Sequence, residues 1–430
     1  MAAAEAKMDK FADFLENKVL PPLMKLAEQR HFAAIRQGIQ RVIPLIIVGS
    51  IPLIIAHPPV ESWAQAVEPY VETLMIPFNM TFELMALYVA YGVAAALAET
   101  YNVDSTATGI TSMVGFLTAS APIVEGVVPV DFLGGTGLFT AILIALLTAE
   151  VFRFFKESGF TIKMPDEVPD AIIASFESIT TVALIVGGLW FFRSVIGINI
   201  PAVVMGAFEP LVTVADSLPS IVAANVLHQA LWSVGIHGTS VVIWGVAAPF
   251  LTQNLAANAE AVQAGQEMLP YFWSEPMQMS YAHMGGSGAT LPLVLLYLFK
   301  AKSTHLKQVG KVAIIPAIFN INEPVTFGTP IILNPVMLIP WFISQPLIMA
   351  IVYITRTLGL VRSAFVLPPW TTPVPIYQYI MTGGDFRAVI LAVLIFVVSG
   401  LLYYPFFRVW DKRQLEKEQE KEVEAEPAKA

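Results

Sequence analysis

The chain contains no cysteine among its 430 residues. This absence excludes disulfides, thiolate metal sites and a phosphocysteine or nucleophilic cysteine supplied by the chain itself. Charge is also scarce: Asp, Glu, Lys and Arg make up 13% of the residues, whereas soluble domains usually carry about 25%. Hydrophobic residues reach 56%, and the mean hydropathy is +0.67. The composition predicts an integral membrane protein, and its net charge of -9 gives no reason to expect a nucleic-acid partner.

Long stretches without any Asp, Glu, Lys or Arg recur along the chain. They are Val42 to Val60, Leu84 to Leu97, Ser105 to Val124, Phe132 to Ala149, Ser178 to Phe192, Ser217 to Ala259, Pro276 to Phe299, Val312 to Asn322, Pro324 to Thr355, Ser363 to Gly384 and Val389 to Phe407. Since a membrane-spanning helix needs about 20 such residues, the pattern predicts an all-α protein of about ten transmembrane helices with two hairpin-like insertions. The stretch from Ser217 is about twice that length and is broken by "SVGIHGTS" and Pro249, which predicts a helix followed by a broken or re-entrant piece.

The distribution of Lys and Arg predicts how the chain is oriented. Basic clusters precede the first span and follow the fourth and last spans, whereas "HPPVESW" and "VEGVVPVD" contain neither residue. Cytoplasmic loops retain Lys and Arg, so both termini are predicted to be cytosolic. Residues 1–30 carry acids and lysines before any apolar run, which indicates an amphipathic surface helix and not a cleaved signal peptide. The acidic tail, residues 409–430, ends in "EKEQEKEVEAEPAKA" and is predicted to be disordered there.

The two halves of the membrane region differ in residue composition, which predicts two domains, 31–210 and 211–408. The second is rich in Pro, Gly, Trp and His at membrane depth, where broken helices are tolerated only if they line a cavity or pack on protein. We therefore expect the functional site in residues 211–408.

Glu323 is the most conspicuous ionisable residue, because it lies within "NINEPVTFGTP" between two apolar runs. A charged side chain at bilayer depth costs about 2.5 to 3.5 kcal/mol on insertion scales, so it marks a functional site by default. The alternative is that Glu323 caps a helix or pairs with a lysine of the neighbouring loop. Asn320 and Asn322 precede it, so the chain is predicted to turn there, with amides and the carboxylate facing the same small volume.

His237 lies in "LWSVGIHGTS" between Gly235 and Gly238, which let a ligand or backbone approach the ring. A histidine satisfied within an apolar core is the alternative. His228 lies nine residues earlier, which is not a metal-ligand spacing, so no metal or other cofactor is predicted.

Indole rings and amides near these residues suit a carbohydrate. Sugars stack their C–H faces on Trp side chains, so Trp232 and Trp370 are candidates, although packing explains either one. Asn225, His228 and Gln229 share a helical face with Trp232. They either bind hydroxyls or hold helices together.

Four segments of the chain resemble the IIC membrane component of the bacterial phosphotransferase system, in its lactose, cellobiose and diacetylchitobiose family. They are "FLENKVLPPLMKLAEQRHFAAIRQGI", "KMPDEVPDAI", "LWSVGIHG" and "FNINEPVTFGTPIILNP". The resemblance implies a homodimer of ten-span protomers in the bacterial cytoplasmic membrane. Residues 31–210 form the dimer contact, and residues 211–408, with two re-entrant hairpins, bind a disaccharide and carry it across the membrane as an elevator.

The resemblance also implies roles for the candidate residues. His237 and Glu323 approach the sugar hydroxyl that is phosphorylated, Trp232 and Trp370 flank the sugar, and Asn322 borders the site. A phosphocysteine on a separate IIB protein, charged by IIA, donates the phosphoryl group to the 6-hydroxyl. The absence of a fused IIB domain favours the cellobiose or diacetylchitobiose branch and leaves the preferred disaccharide open.

A different class of protein also fits the residues. In an ion-coupled secondary transporter of an unmodified solute, Glu323 and His237 would form a proton relay. A channel is a third, weaker interpretation.

Overall fold

The structure is a computed structural model in which the described residues are Lys25, 29–56, 61–122, 128–159, 170–233, 235–331, 334 and 336–425. Within this part of the chain the regular structure is entirely helical. The α-helices are α1 (Arg30–Ala56), α2 (Glu61–Val67), α3 (Val71–Thr81), α4 (Met85–Thr100), α5 (Ser105–Ser120), α6 (Leu138–Ser158), α7 (Asp170–Trp190), α8 (Ile200–Ala215), α9 (Leu218–Ser233), α10 (Ala248–Gln263), α11 (Glu275–Tyr281), α12 (Leu291–Lys300), α13 (Thr304–Ile318), α14 (Glu323–Gly328), α15 (Leu338–Thr357), α16 (Ile376–Met381) and α17 (Phe386–Ala425).

Several helices are suited to the interior of a bilayer. Among the described residues, seven helical stretches are long and apolar enough to cross a membrane, and an eighth is added if α8 and α9 form one broken span. The seven are Arg30–Ala56, Ser62–Thr100, Gly135–Ser158, Ser178–Val195, Thr239–Gln263, Leu338–Thr357 and Phe386–Glu420. The count covers the described residues alone, so the total of about ten spans and the two re-entrant hairpins stay predictions.

The chain divides into two compact units whose boundaries differ from the predicted domains. The first unit comprises Lys25–Ala215 and Trp244–Ser274, and the second comprises Asp216–Ile243 and the chain from Glu275 onward. Residues 244–274, expected in the second domain, therefore pack with the first unit. The predicted surface helix over residues 1–30 lies almost wholly outside the described residues.

The first unit is built on close packing of small side chains. Helix α4 buries Ala86, Ala90, Ala94, Ala96 and Ala98, and it packs against α1, α5 and α6. Small residues let helix backbones approach closely, which is how helices associate in lipid, where apolar surface alone gives no driving force.

Polar contacts explain why residues 244–274 belong to the first unit. The Glu260 carboxylate on α10 accepts a hydrogen bond of 2.9 Å from the backbone N–H of Gly135. Gln263 donates at 3.2 Å to the side-chain oxygen of Asn79. These contacts join residues far apart in the sequence, so the sequence pattern does not reveal them, and the predicted domain boundary at residue 210 does not reflect them.

In the second unit, the long C-terminal helix α17 packs against α12 and α15. Tyr403 and Phe407 of α17 share a buried aromatic cluster with Trp232, Tyr297 and Trp341. The helix that carries the charged C-terminal tail is thus part of the core of the unit that contains the candidate site residues.

The predicted disorder of the tail is wrong as far as residue 425, because α17 continues to Ala425. Two of its carboxylates cap the start of α13. Asp411, which is 5% exposed, accepts the backbone N–H groups of Lys302 and Ser303 at 2.8 and 2.9 Å. Glu418 accepts those of Thr304 and His305 at 2.9 and 2.7 Å. The first N–H groups of a helix have no partner within the helix, so these carboxylates stabilise both helices.

We predict that Asp411→Ala destabilises the second unit by about 2 to 3 kcal/mol, because buried N–H groups lose their acceptor. The measurement is the thermal unfolding midpoint of the purified protein in detergent. Glu416→Ala is the matched control, since Glu416 makes only an exposed contact of 3.7 Å with Lys412, a kind of ion pair worth about 0 to 1 kcal/mol. Equal midpoints for the two variants would contradict the capping role.

Candidate functional site

The "GIHG" segment interrupts the helical path of the second unit. Helix α9 ends at Ser233, and a π-helical segment begins at Thr239. Between them the chain folds back on α9: a Cβ added to Gly238 would lie 2.1 Å from the carbonyl oxygen of His228. His228 fixes the same turn through a contact of 2.9 Å between its Nε2 and the Thr239 hydroxyl. Only glycine fits at residue 238, and the fold-back places the preceding residue, His237, at the surface of the unit.

The hydrogen bonds of His237 define its tautomer. The backbone N–H of Ser240, which can only donate, points to His237 Nδ1 at 3.2 Å, and the Ser240 hydroxyl lies 3.0 Å from the same atom. Nδ1 is therefore the acceptor, and in the neutral ring the proton resides on Nε2. Within the described part of the chain, Nε2 has no hydrogen-bond partner. His237 thus presents an N–H donor.

Two buried asparagines hold the "NINEP" segment. Asn322 Nδ2 donates to the backbone oxygen of Ser287 at 2.7 Å, and a Cβ on Gly286 would lie 2.5 Å from the Asn322 side chain. Asn320 has a positive φ of 63°, which asparagine tolerates better than most residues. Its Oδ1 accepts from the N–H of Gly285 at 3.1 Å.

Asn320 also reaches a third segment. Its Nδ2 donates to the backbone oxygens of Trp370 and Thr372 at 2.9 and 3.0 Å. The asparagines therefore join the glycine-rich turn at 285–288, the "NINEP" turn and the loop that carries Trp370.

Glu323 is the first residue of the short helix α14, directly after Asn322. Its side chain is exposed on the unit. Among the described residues it accepts no hydrogen bond and forms no ion pair, so neither alternative raised from the sequence, a helix cap or a lysine partner, is seen there. Its carboxylate is near enough to His237 for an electrostatic interaction. An acceptor and a donor from segments 86 residues apart in sequence thus belong to the same compact unit.

Trp232 connects this region to the core. It is 6% exposed, and its ring centroid lies 4.5 Å from that of His237 and 6.4 Å from that of Trp341. Trp370 differs, because its side chain is 44% exposed. One indole therefore packs beneath His237, and the other is available at the surface of the unit.

The remaining candidates make contacts inside the protein. Asn225 exchanges hydrogen bonds of 3.2 and 2.8 Å with Gln278. Gln229 donates to the Trp341 carbonyl at 2.9 Å and accepts from its indole N–H at 2.7 Å. Both side chains are fully buried. They hold helices together, which is the alternative that the sequence left open, and a role for them in binding stays a prediction.

The sequence predicts the amides of Asn320 and Asn322 at this turn, but the partners of an amide are not visible in a sequence. Sequence reasoning missed Ser240, whose backbone N–H and hydroxyl fix the His237 ring. Among the described residues, no group of His, Asp and Glu could hold a metal ion.

Together these observations define a multi-pass helical membrane protein with a polar site at interrupted helices in its second unit. Residues 36–344 match the family described as phosphotransferase system, EIIC. The chain belongs to this family, and the resemblance expected from its motifs is confirmed, as is the all-helical membrane fold.

Similarity to individual relatives extends over nearly the whole chain. The chain is 37% identical over 448 residues to the lichenan permease IIC component of Bacillus subtilis (strain 168), covering 98% of each. It is 36% identical over 439 residues to the PTS system cellobiose-specific EIIC component of Geobacillus stearothermophilus, covering 96% and 97%. The crystal structure of the transporter ChbC, the IIC component from the N,N'-diacetylchitobiose-specific phosphotransferase system, is similar with a TM-score of 0.88 at 36% identity, covering 94% of this chain and 99% of that one.

We predict that Gly238→Ala lowers the thermal midpoint and displaces the His237 turn. A Cβ at 2.1 Å from a backbone oxygen forces the turn to move, and overpacking of this kind costs about 1 to 3 kcal/mol. Gly206→Ala, in α8, is the control because a Cβ there meets nothing within 4 Å. The midpoint in detergent checks both variants. An unchanged Gly238→Ala variant would show that the fold-back is not as tight as described.

Proposed function

We propose that the chain binds a disaccharide in the second unit, moves it across the bacterial cytoplasmic membrane, and presents the 6-hydroxyl of the sugar to phosphorylated IIB. The observation that supports this most is that His237 and Glu323, from distant segments, are both exposed on the second unit. One presents an N–H and the other a carboxylate, and neither Nε2 nor the carboxylate has a hydrogen-bond partner among the described residues. A hydroxyl, which both donates and accepts, matches such a pair.

The chemistry follows from these two groups. The 6-oxygen attacks the phosphorus of the IIB phosphocysteine, the P–O bond forms, and the P–S bond breaks to leave the thiolate. Glu323 accepts the proton of the attacking hydroxyl, and His237 Nε2–H orients the oxygen. In phosphoryl transfer, positioning and electrostatic stabilisation account for most of the catalysis, which is consistent with so small a set of groups. None of the 430 residues is a cysteine, so none of them supplies that thiol.

The class of sugar is inferred from the relatives and from the aromatic residues. The relatives are named for lichenan, cellobiose and N,N'-diacetylchitobiose, so we propose a cellobiose-type or diacetylchitobiose-type disaccharide. Trp232 beneath His237 and the exposed Trp370 offer indole faces for the C–H surfaces of the sugar rings. Asn322 supports the turn that carries Glu323, and Asn225, His228 and Gln229 are expected nearby.

The proposed assembly follows the family resemblance. The chain forms a homodimer through its N-terminal domain, residues 31–210, with ten spans and cytosolic termini in each protomer. The C-terminal domain, predicted as residues 211–408, carries two re-entrant hairpins and moves with the sugar, apart from residues 244–274, which pack with the first unit. The chain is then the membrane subunit of a protein-phosphocysteine:sugar phosphotransferase, with IIA charging IIB. The family match favours this function over an ion-coupled transporter of unmodified solute.

We predict that Glu323→Gln lowers the rate of sugar phosphorylation by at least about 100-fold, the scale of a lost general base. Sugar affinity should change little, because the amide can still hydrogen-bond the hydroxyl. The rate is measured in vesicles supplied with phosphorylated IIB, and affinity by calorimetry on the purified protein with cellobiose and diacetylchitobiose.

Glu416→Gln, on the polar end of α17, serves as the control and should leave both quantities unchanged. Loss of sugar binding with an intact rate at saturating sugar would contradict the role of Glu323. Accumulation of unmodified sugar without IIB would favour the ion-coupled alternative instead.

A further inference from the structure

A basic pocket in the first unit is separate from the proposed sugar site. Its volume is about 470 Å³, and its lining residues are Lys25, Gln29, Arg30, His31, Tyr101 and Arg153. The pocket lies where helices end: Arg30 starts α1, Tyr101 directly follows α4, and Arg153 is near the end of α6. Each of these helices belongs to a candidate membrane span. The pocket is therefore at the level where spans leave the bilayer.

The acids near the pocket are already engaged. Glu150 lies 2.9 Å from His31 Nε2 and 3.3 Å from an Arg153 nitrogen, and it accepts a hydrogen bond from the Tyr101 hydroxyl. Glu157 lies 2.9 Å from Arg153 Nε. These two carboxylates offset the charge of Arg153, and they leave the other lining cations uncompensated.

Arg30 and Lys25 are those cations. Within the part of the chain that the structure describes, neither forms an ion pair. The Arg30 guanidinium lies 5.6 Å from the centroid of the Tyr101 ring, and that of Arg153 lies 4.8 Å from it. Cation–π contact holds a planar guanidinium in place, and guanidinium groups bind phosphate oxygens in a bidentate manner. The Arg30 guanidinium and the Lys25 ammonium, whose charges no described carboxylate offsets, therefore form a receptor for a phosphate beside the Tyr101 ring.

Exposed apolar side chains lie on the face of α6 that also carries Glu150, whose carboxylate is already engaged at the pocket. Leu143, Leu147 and Phe154 are 42%, 49% and 64% exposed, and their spacing places them on one face of the helix. These apolar side chains can pack against acyl chains, whereas they offer neither a hydrogen bond nor a charge to a soluble anion. Basic pockets between transmembrane helices are known sites for phospholipid headgroups.

We propose that this pocket binds the phosphate group of an anionic phospholipid whose acyl chains lie along Leu143, Leu147 and Phe154. The site is independent of the proposed sugar chemistry, because its residues all belong to the first unit. Bound lipid would link the ends of α1, α4 and α6 and stabilise their packing.

The test is a lipid titration of the full-length protein in neutral detergent, read as the thermal unfolding midpoint. The probes are dioctanoyl phosphatidylglycerol, dioctanoyl phosphatidylcholine and inorganic phosphate. Phosphatidylglycerol should raise the midpoint most. Arg30→Gln and Lys25→Gln should each raise its half-saturating concentration about five-fold, the equivalent of about 1 kcal/mol per basic side chain near a lipid surface.

Arg36→Gln is the matched control, with the same loss of charge on the same helix outside the pocket, and it should leave the half-saturating concentration unchanged. An equal effect of Arg36→Gln would show attraction by general surface charge and overturn the site. Equal stabilisation by phosphatidylcholine would remove the role of the anion, and equal stabilisation by inorganic phosphate would show a soluble phosphate to be the ligand.

Discussion

A single buried amide, that of Asn320, holds the architecture of the candidate site together. It bonds to the backbone of the glycine-rich turn and to the loop of Trp370, and it lies on the turn that leads into Glu323. In a bilayer, irregular backbone survives only where its polar groups are satisfied within the protein, since each unsatisfied group costs several kcal/mol. The broken helices that the site requires are therefore possible because asparagine side chains replace the hydrogen bonds that a continuous helix would supply. His228 stabilises the "GIHG" turn in a similar way, through its hydrogen bond with the Thr239 hydroxyl.

These supports leave polar groups available for a ligand. The donor on His237 results from the hydrogen bond that Ser240 makes to its other nitrogen, and Glu323 starts a helix without a described partner for its carboxylate. The division between an N–H donor and a carboxylate acceptor is what an alcohol needs before it attacks phosphorus. An unpaired carboxylate in a membrane has a high free-energy cost. A hydroxyl group that donates a hydrogen bond to it lowers that cost, which favours binding of a ligand with hydroxyls.

Features that depend on neighbouring residues could be predicted from the sequence, whereas features that depend on contacts between distant residues could not. Several uncharged runs coincide with long helices, because the bilayer sets their length and composition, but the run Ser363 to Gly384 contains only the short helix α16. The "GIHG" and "NEP" motifs identified the family through local residues. Residues 244–274 group with the first compact unit, and not with the second as the sequence predicts, because Glu260 and Gln263 find their partners far along the chain. The sequence predicts an amide of Asn320 at the turn before Glu323, but its positive φ and its backbone partners leave no pattern in the residues around it.

For the C-terminal tail, the sequence predicts disorder where the structure has a helix as far as Ala425. Its charge density suggested a solvated, unstructured segment, yet the same Glu and Lys residues favour helix, and Asp411 and Glu418 find N–H partners at the start of α13. Composition alone does not distinguish a solvated charge from a helix cap, since the difference depends on the geometry of a second element. For Asn225 and Gln229, too, only the structure showed that their amides are engaged between helices.

The central claim is that His237 and Glu323 converge on one hydroxyl of a bound disaccharide. The most direct measurement is an experimental structure of the protein in lipid with cellobiose or diacetylchitobiose bound. The account predicts that the 6-oxygen lies within hydrogen-bond distance of both His237 Nε2 and a Glu323 carboxylate oxygen. A sugar bound elsewhere, or one whose 6-oxygen contacts neither side chain, would contradict it.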